Sequence, residues 1–367
     1  MTHSLKVMLG ESAQPADAAF YNLLATLEVE ENADLPGAIE LTLPIATHRA
    51  NGADDLTIVG DDRFKPFARV AVVIGVTGSA DACIFDGCVL SHRVHLDRGT
   101  TASTVKVWGQ DLSCLMNLVE TAHEWTDSDA TIAQTIFTGS PYNFRASVTD
   151  DTGQHPDSGH TVMQRGTDAQ FLRERARRAG KLFRVSAIDR PGKTNNTGYF
   201  IKPDLSASAA TTLILNPVAN ANVDSLDLEW DVARPSEVLA KALLRAKDPV
   251  DGGTTDSGLT KLEQRSLGDL VGTNVTKMML ATSVDSAGEL TDRARAVLRD
   301  AGWFVRCEGE ADLARLGVVL RVGSVVQLDG AGKVHSGKYF VWSVRHTITT
   351  TSHRMKFVLM RNALGAP

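Results

Sequence analysis

The sequence predicts an α+β fold that is mainly β, and three observations lead to this prediction. Strand-like segments fill roughly the first 110 residues, helical segments with clear end signals occupy the middle, and strands return from Phe304 to the C-terminus. Many antiparallel strands without helices between them are typical of a sandwich or a barrel. We therefore expect two β regions with an α+β region between them and a helical insertion in the second.

The first β region is predicted from alternation of apolar and polar side chains. Residues 24–31 and 39–43 have the period-two pattern of half-buried strands, and residues 67–76 form a more continuous apolar strand. A long strand over 84–96 and a return strand over 103–108 predict a hairpin. The long strand is expected to present one apolar face, made of Ile84, Cys88, Leu90, Val94 and Leu96.

The middle of the chain alternates helices and strands. Short helices are predicted over 111–119 and 128–137, and residues 149–160 are predicted to form a loop. A capping box at Thr167-Asp-Ala-Gln170 opens a helix that ends at Gly180. Two strands follow, over 182–187 and 198–202.

The last third begins with a strand over 223–230 and continues with an ambiguous segment at 237–247. This segment is rich in Ala and Leu, which favours a helix locally. Another capping box, Ser286 to Glu289, opens a helix that ends near Gly302. Strands then follow at the C-terminus, predicted over 325–328, 339–348 and 355–360.

A faint internal repeat links the two β regions. The segment Val-Leu-Ser-His-Arg at 89–93 lies in the long strand of the first region, and Val-Trp-Ser-Val-Arg at 341–345 lies in the corresponding strand of the second. Three of the five positions match. A duplicated β unit would explain the match.

Composition and charge narrow the class of protein. A chain of 367 residues is too long for one ordinary core, and its net charge of −6 argues against broad nucleic-acid binding. The longest apolar run is about ten residues, where a membrane-spanning helix needs about twenty. The N-terminus lacks the pattern of a signal peptide, and four cysteines in so long a chain do not indicate a disulfide framework. We expect assembly in the cytoplasm and no membrane insertion.

Several residue patterns are of the kind that can carry chemistry. Residues 187–194 fit a relaxed phosphate-loop pattern, but the following segment is strand-like rather than helical, so a hairpin is preferred. Cys88, His92 and His95 share one strand, yet Cys88 and His92 lie about 13 Å apart along it and His95 points the other way. We expect a buried cysteine and partly buried histidines there, not a metal site.

The remaining candidates also favour structural roles. His346 falls on an apolar strand face and is expected to be a hydrogen-bonded core residue. The chain has no Gly-x-Ser-x-Gly or His-Glu-x-x-His motif. A cluster of arginines on the helix after Thr167 is expected to be a solvated face; it comprises Arg173, Arg175, Arg177 and Arg178. No catalytic, cofactor-binding or metal-binding residue is predicted.

Three segments, in order, resemble the phage late control D family. The C-terminal segment has the family's Gly-x-x-Val-x-Leu pattern at 323–328, its Gly-x-Tyr-x-Val-x-x-Val-x-His pattern at 337–346, and a last strand ending in Arg361-Asn362. Residues 167–183 resemble its Phe-Leu helix through Phe171 and Leu172, although Ala176 stands near a position where the family has leucine. Residues 84–112 form the third segment.

This resemblance implies a contractile tail hub, similar to baseplate hubs of phage tails, pyocins and extracellular contractile injection systems, and to the N-terminal part of type VI spike proteins. Such hubs are homotrimers with two tube-protein-like antiparallel β-barrels per chain, so that three chains match a sixfold inner tube to a threefold spike. The implied partners are the central spike protein, the inner tube protein and baseplate proteins, and the implied place is a phage tail or injection particle. The resemblance does not distinguish these machines.

The implied domain organisation is a first barrel at 1–118, an α+β bracing region at 119–219, a second, discontinuous barrel at 220–250 and 303–363, and a loop and helical insertion at 251–302. The family analogy favours a barrel strand at 237–247 against local helix propensity. Two other function classes stay open. One is a cell-wall hydrolase associated with a phage tail, which would need an acid–base pair in a pocket, and the other is a carbohydrate-binding β-sandwich.

Overall fold

The structure is a computed structural model that describes residues 3–45, 47–50, 53–56, 58–98, 103–150, 162–244, 249–284 and 286–366. Its strands, in chain order, are β1 (His3–Gly10), β2 (Gln14–Pro15), β3 (Thr26–Asn32), β4 (Ala38–Pro44), β5 (Thr47–Ala50), β6 (Ala53–Leu56), β7 (Arg69–Val76), β8 (Ala82–His95), β9 (Thr104–Asp111), β10 (Glu120–Trp125), β11 (Arg145–Val148), β12 (Val162–Thr167), β13 (Leu182–Ala187), β14 (Asn196–Ile201), β15 (Thr212–Ile214), β16 (Ser225–Trp230), β17 (Glu237–Leu243), β18 (Pro249–Asp251), β19 (Lys277–Leu280), β20 (Val305–Asp312), β21 (Val325–Asp329), β22 (Gly337–Ile348) and β23 (His353–Arg361).

Within the described residues the helices are fewer than the strands. They are α1 (Ala18–Leu23), α2 (Asp129–Thr138), α3 (Asp168–Arg178), α4 (Leu267–Val271), α5 (Ala287–Ala301), α6 (Leu313–Leu316) and α7 (Gly332–His335), with 3-10 turns at Asp62–Phe64, Leu112–Asn117, Lys193–Asn195 and Val218–Asn220. Strands take up 43% of the residues and helices 21%, which confirms the mainly β, α+β prediction.

One sheet of 13 strands dominates the molecule and contains two sets of six strands with the same arrangement. The first set has the spatial order β3-β4-β9-β8-β7-β1, and the second has the order β16-β20-β23-β22-β21-β15. The strands of each set also follow one another along the chain in the same sequence. The sets differ at one end, because β1 pairs antiparallel with β7 whereas β15 pairs parallel with β21. We call these sets the first and second β units.

The repeat predicted at 89–93 and 341–345 falls on matching strands of the two units. Both strands contain a β-bulge at the same place in the repeat, between Val89 and Ser91 in β8 and between Val341 and Ser343 in β22. A bulge inserts one extra residue against the partner strand. The extra residues, Leu90 and Trp342, are therefore equivalent, and a shared irregularity of this kind supports duplication of the unit.

The bulge also changes the predicted face of β8. Cys88 and Leu90 pack against the core of the α+β region, whereas Ile84 and Val94 pack against the core of the large sheet. The prediction that all of the apolar residues of this strand share one face was therefore wrong. The period-two rule fails because β8 contains two register shifts, at Ile84 against β7 and at Leu90 against β9, and because β8 is buried on both sides near its centre.

Within the described residues, one strand pair joins the two units. The second half of β22, from Ser343 to Ile348, pairs antiparallel with β3 over Asn32 to Leu27. The ladder therefore runs through both predicted barrels as one continuous sheet. Its core draws on strands of both units, for example Leu27 and Val107 from the first and Phe340 and Leu359 from the second.

The α+β region packs a second core against β8. Helices α2 and α3 and the strands β11-β14-β13 enclose Phe137, Leu172, Phe183 and Phe200, all of them fully buried. The capping box predicted at Thr167 is present, with both of its hydrogen bonds to Gln170. The helices predicted at 128–137 and 286–302 are confirmed, whereas the one predicted at 111–119 is a 3-10 turn. Of the loop predicted at 149–160, residues 151–160 lie outside the described residues.

The ambiguous segment at 237–247 contains a strand, as the family analogy favoured over local propensity. This strand, β17, pairs with β18 and β19 in a small separate sheet. The prediction that this segment is a strand of the second barrel was therefore wrong. Val238 and Ala240 face α5, where they pack against Leu290 and Ala294, so burial against that helix explains why the segment is a strand here. Residues 245–248 lie outside the described part of the chain.

Candidate functional site

The three regions of the chain meet at a largely buried ion pair between Glu31 and Arg321, whose side chains are 10% and 22% exposed. The Arg321 Nε atom donates to both Glu31 carboxylate oxygens, at 2.8 and 3.1 Å. Its two terminal nitrogens donate to the backbone carbonyls of Ile188 and Ala187, at 2.9 and 2.8 Å. Burial acts to lower the pKa of Arg321, but the Glu31 carboxylate outweighs it, so the pKa is raised. One guanidinium thus ties β3, the end of β13 and the C-terminal region together.

A second buried cluster explains the phosphate-loop pattern at 187–194. The segment forms the turn of the predicted hairpin between β13 and β14. The Asp86 carboxylate, fully buried on β8, forms an ion pair with Arg69. It also accepts hydrogen bonds from the Gly192 amide and from Asn196 Nδ2, each at 2.7 Å. The amide and side-chain donors of this turn are therefore directed at a carboxylate of the same chain.

The Arg-Asn pair at the end of β23 fastens two other segments to the second β unit. Arg361 is fully buried, lies over the Tyr339 ring at 4.9 Å and donates to the His335 carbonyl at 3.0 Å. Asn362 accepts from the Leu262 amide and donates to the Thr260 carbonyl, each at 2.9 Å. These contacts hold the insertion between β16 and β20 against the last strand.

Neither Cys88 nor its neighbouring histidines form a metal cluster in the structure. Cys88 is buried, but His92 and His95 are exposed, so their predicted partial burial was wrong. They lie beyond the bulge, where β8 extends past the end of its pairing with β7. No group of three or more His, Cys, Asp or Glu side chains within the described ranges is placed to share a metal ion. The four cysteines are free and buried.

His346 is a hydrogen-bonded core residue, as predicted. Its Nδ1 atom lies 3.0 Å from Nε2 of His353, which the sequence analysis did not single out. Both rings are almost completely buried, and burial lowers the pKa of each to about 3. The pair is therefore neutral at pH 7 and lies inside the sheet near the junction of β22 with β3.

The arginine cluster on α3 is only partly a solvated face. Arg177 is exposed and lies 3.5 Å from the Asp34 carboxylate. Arg175 is buried and pairs with Asp129 at 2.7 Å, because α3 packs this side against the start of α2. Its predicted exposure was wrong. Arg173 lies over the Phe183 ring at 5.3 Å.

A cleft of about 1000 Å³ lies between the end of α3, α5 and the 233–235 segment. Its lining includes Arg177, Arg178 and Arg293 together with Trp303 and Trp342. Burial and repulsion from Arg293 lower the pKa of Arg178. None of the helices in the described part of the chain has both the length and the apolar composition needed to cross a membrane.

The residues that hold the junction were not found from the sequence. Glu31 and Arg321 lie 290 positions apart, so no local spacing connects them. Asp86 carries a detectable signal, because it is a charged residue inside the apolar segment 84–89. A buried charge in a strand requires a partner, and this argument would have marked Asp86 as an ion-pair residue.

Solved structures of tail proteins share this fold. A tail protein from Neisseria meningitidis MC58 matches with a TM-score of 0.67 at 14% identity, over 99% of this chain and 97% of that one. The 43 kDa tail protein of prophage MuSo2 from Shewanella oneidensis matches with a TM-score of 0.67 at 15% identity, over 99% and 100%. An E. coli type VI secretion component, c3393, described as structurally similar to the T4 tail proteins gp27 and gp5, matches with a TM-score of 0.54 at 13% identity, over 94% and 76%.

Sequence comparison gives the family. No curated protein matches the chain significantly. The model of a family described as the Alg8 N-terminal domain matches residues 45–350, which is well over half of the chain. The chain therefore belongs to the family of the Alg8 N-terminal domain.

Proposed function

We propose that the protein is a structural baseplate hub of a contractile phage-tail-like particle. The observation that carries this proposal is the presence of two β units of the same strand order in one chain, joined by the pairing of β22 with β3. The fold shared with tail proteins of phages and of the type VI system supports it. The resemblance to the phage late control D family points to the same role.

The duplication resolves a mismatch of symmetry. Three copies of a chain with two equivalent units present six units around one axis, so a homotrimer can contact a sixfold tube on one side and a threefold spike on the other. The proposed partners are therefore the inner tube protein, the central spike protein and baseplate proteins. In this proposal the trimer assembles in the bacterial cytoplasm and becomes part of the tail or injection particle.

We further propose that the chain acts as a binding scaffold and not as an enzyme. The charged side chains of Asp86, Glu31 and Arg321 are engaged in contacts that join segments of the fold. A cell-wall hydrolase would need an acid–base pair in a pocket, and the cleft beside α3 and α5 is the pocket in which to look for one. Incubation of the protein with purified peptidoglycan should leave turbidity unchanged, and release of soluble fragments would instead support the hydrolase.

Light scattering on a sizing column tests the hub directly. The protein alone, or together with a candidate spike protein, should have three times the chain mass of 39.4 kDa, plus that of the spike when bound. A monomer in both conditions, with no spike binding, would contradict the proposal.

A further inference from the structure

The two β units differ in whether one particular strand edge is covered. In the second unit, β21 covers the first half of β22 and β3 covers the second half. In the first unit, β7 covers the first half of β8, but no strand in the described part of the chain lies beside Ser91–His95 on that side. Correspondingly β16, the counterpart of β3, pairs with β20 and with no other strand among the described residues, so it forms one edge of the sheet.

Backbone contacts show that the two edges are equivalent up to the bulge. The Phe67 amide donates to the Val89 carbonyl at 2.8 Å, and the Gly323 amide donates to the Val341 carbonyl at 3.0 Å. Both contacts directly precede the bulge. Beyond the bulge, this edge of β22 pairs with β3, whereas the same edge of β8 is exposed to solvent.

The strand registers align β16 with β3 residue by residue. Carrying the pairings across the ladder places Ser225 at the position of Thr26 and Glu229 at the position of Glu30. The aligned segments read Ser-Leu-Asp-Leu-Glu and Thr-Leu-Glu-Val-Glu, so their apolar and acidic positions coincide. On the other strand, Arg93 takes the position of Arg345.

Equivalent side chains are buried where the edge is covered and exposed where it is open. Ile348 on β22 is 5% exposed, and its counterpart Leu96 beyond the end of β8 is 59% exposed. Leu27 on β3 is fully buried, whereas its counterpart Leu226 is only half-buried. Trp230, at the end of β16, is 54% exposed. An open strand edge with apolar side chains is a template for pairing with another chain.

We propose that the second half of β8 in one copy of the protein pairs antiparallel with β16 of the next copy, repeating the internal junction of β22 with β3. In that register Arg93 lies opposite Glu229 of the neighbouring copy. The internal model for this contact is the Arg345–Glu30 pair, whose atoms lie 2.6 Å apart. Leu96 then covers Leu226, and His95 faces Asp227. The inference rests on the homotrimer of the proposed function and names the surfaces that form it.

Charge favours a second copy of this chain as the occupant of both edges. The open half of β8 carries Arg93 with His92 and His95, while β16 carries Asp227 and Glu229. Each edge is thus complementary to the other and repels its own kind. A contact between two different surfaces is heterologous and generates a ring when the rotation closes. With the internal junction repeated between copies, six units alternate around a ring of three chains.

Charge reversal tests this contact by light scattering over a dilution series. The variants Arg93→Glu and Glu229→Arg should each raise the trimer dissociation concentration by about tenfold or more, because like charges then face each other. The double variant Arg93→Glu/Glu229→Arg should restore it, because the pair is re-formed with its signs exchanged. Lys6→Glu, which alters an exposed ion pair with Asp81, serves as the matched control and should leave the trimer unchanged.

A cross-link provides a second, positive test. Val94 and Leu228 are opposite each other in the proposed register, so Val94→Cys combined with Leu228→Cys should form disulfide-linked trimers on oxidation. Ser91→Cys combined with Leu228→Cys places the thiols on opposite faces and should not. If both charge reversals leave the trimer unaffected and the first cysteine pair does not link it, the proposed edge contact is wrong. The proposal of a trimeric hub is not contradicted by that result. A wild-type protein that stays monomeric would instead refute the hub itself.

Discussion

Replacing Asp86 with alanine removes a carboxylate on which three parts of the chain depend. The carboxylate is fully buried, and its ion-pair partner Arg69 has a side chain that is only 14% exposed. It also receives the Gly192 amide and Asn196 Nδ2, both at 2.7 Å. The substitution therefore leaves one buried guanidinium and two hydrogen-bond donors without their acceptor.

The expected loss follows from what remains buried. Removing one partner of a buried ion pair typically costs about 3–5 kcal/mol, because the other charge stays in a medium that solvates it poorly. The two lost hydrogen bonds overlap with this penalty and are not added to it. We therefore expect Asp86→Ala to lower the free energy of unfolding by about 3–5 kcal/mol.

Urea unfolding followed by tryptophan fluorescence at pH 7 measures the change. The control is Asp81→Ala, which breaks the exposed pair with Lys6 and should cost less than about 1 kcal/mol. Adding Arg69→Met to Asp86→Ala should recover at least half of the loss, because the stranded charge is removed. Equal effects of Asp86→Ala and Asp81→Ala would refute the argument that this cluster holds the hairpin to β8.

Three further predictions concern the second β unit and the α+β core. Burial holds the pKa of His346 and His353 near 3, below the ordinary value of 6.5, so only the unfolded chain takes up these protons near pH 5. Between pH 7.5 and pH 5 each should cost about 2 kcal/mol of stability, and replacing both with Met should shrink the measured difference by about 4 kcal/mol; an unchanged difference would contradict the assignment. Asn362→Ala should lower the free energy of unfolding by about 2 kcal/mol and speed hydrogen exchange of the Leu262 amide. Unaltered exchange would show that Asn362 does not hold the insertion against the last strand. Gly198→Ala places a Cβ against the buried Phe137 ring of α2 and should cost about 2 kcal/mol in urea unfolding; a neutral effect would mean that the α+β core is not closely packed there.

Local pattern was enough to predict most elements of this fold. Alternation located β3, β4 and β13, and the end signals at Thr167 located α3. The same rule misassigned the faces of β8, because the extra residues Ile84 and Leu90 each reverse the alternation that follows them. The repeat at Val89 and Val341 was faint in sequence, and the shared bulge and strand order make it visible in structure.

The sites depended on tertiary contacts that no local spacing encodes. Arg175 was expected in solvent because its neighbours along α3 are charged, yet α2 supplies Asp129 to pair with it. Glu31 and Arg321 meet only when both β units have formed. The strand at 237–243 was decided by burial against α5 rather than by its own helix-favouring composition.

Electron cryomicroscopy of the purified oligomer, viewed along its symmetry axis, tests the central claim most directly. The account predicts a ring of three chains with six β units, in which one continuous sheet crosses the boundaries between copies just as it crosses the junction of β22 with β3 inside each chain. A monomer, or a twofold dimer in which identical edges face each other, would contradict it.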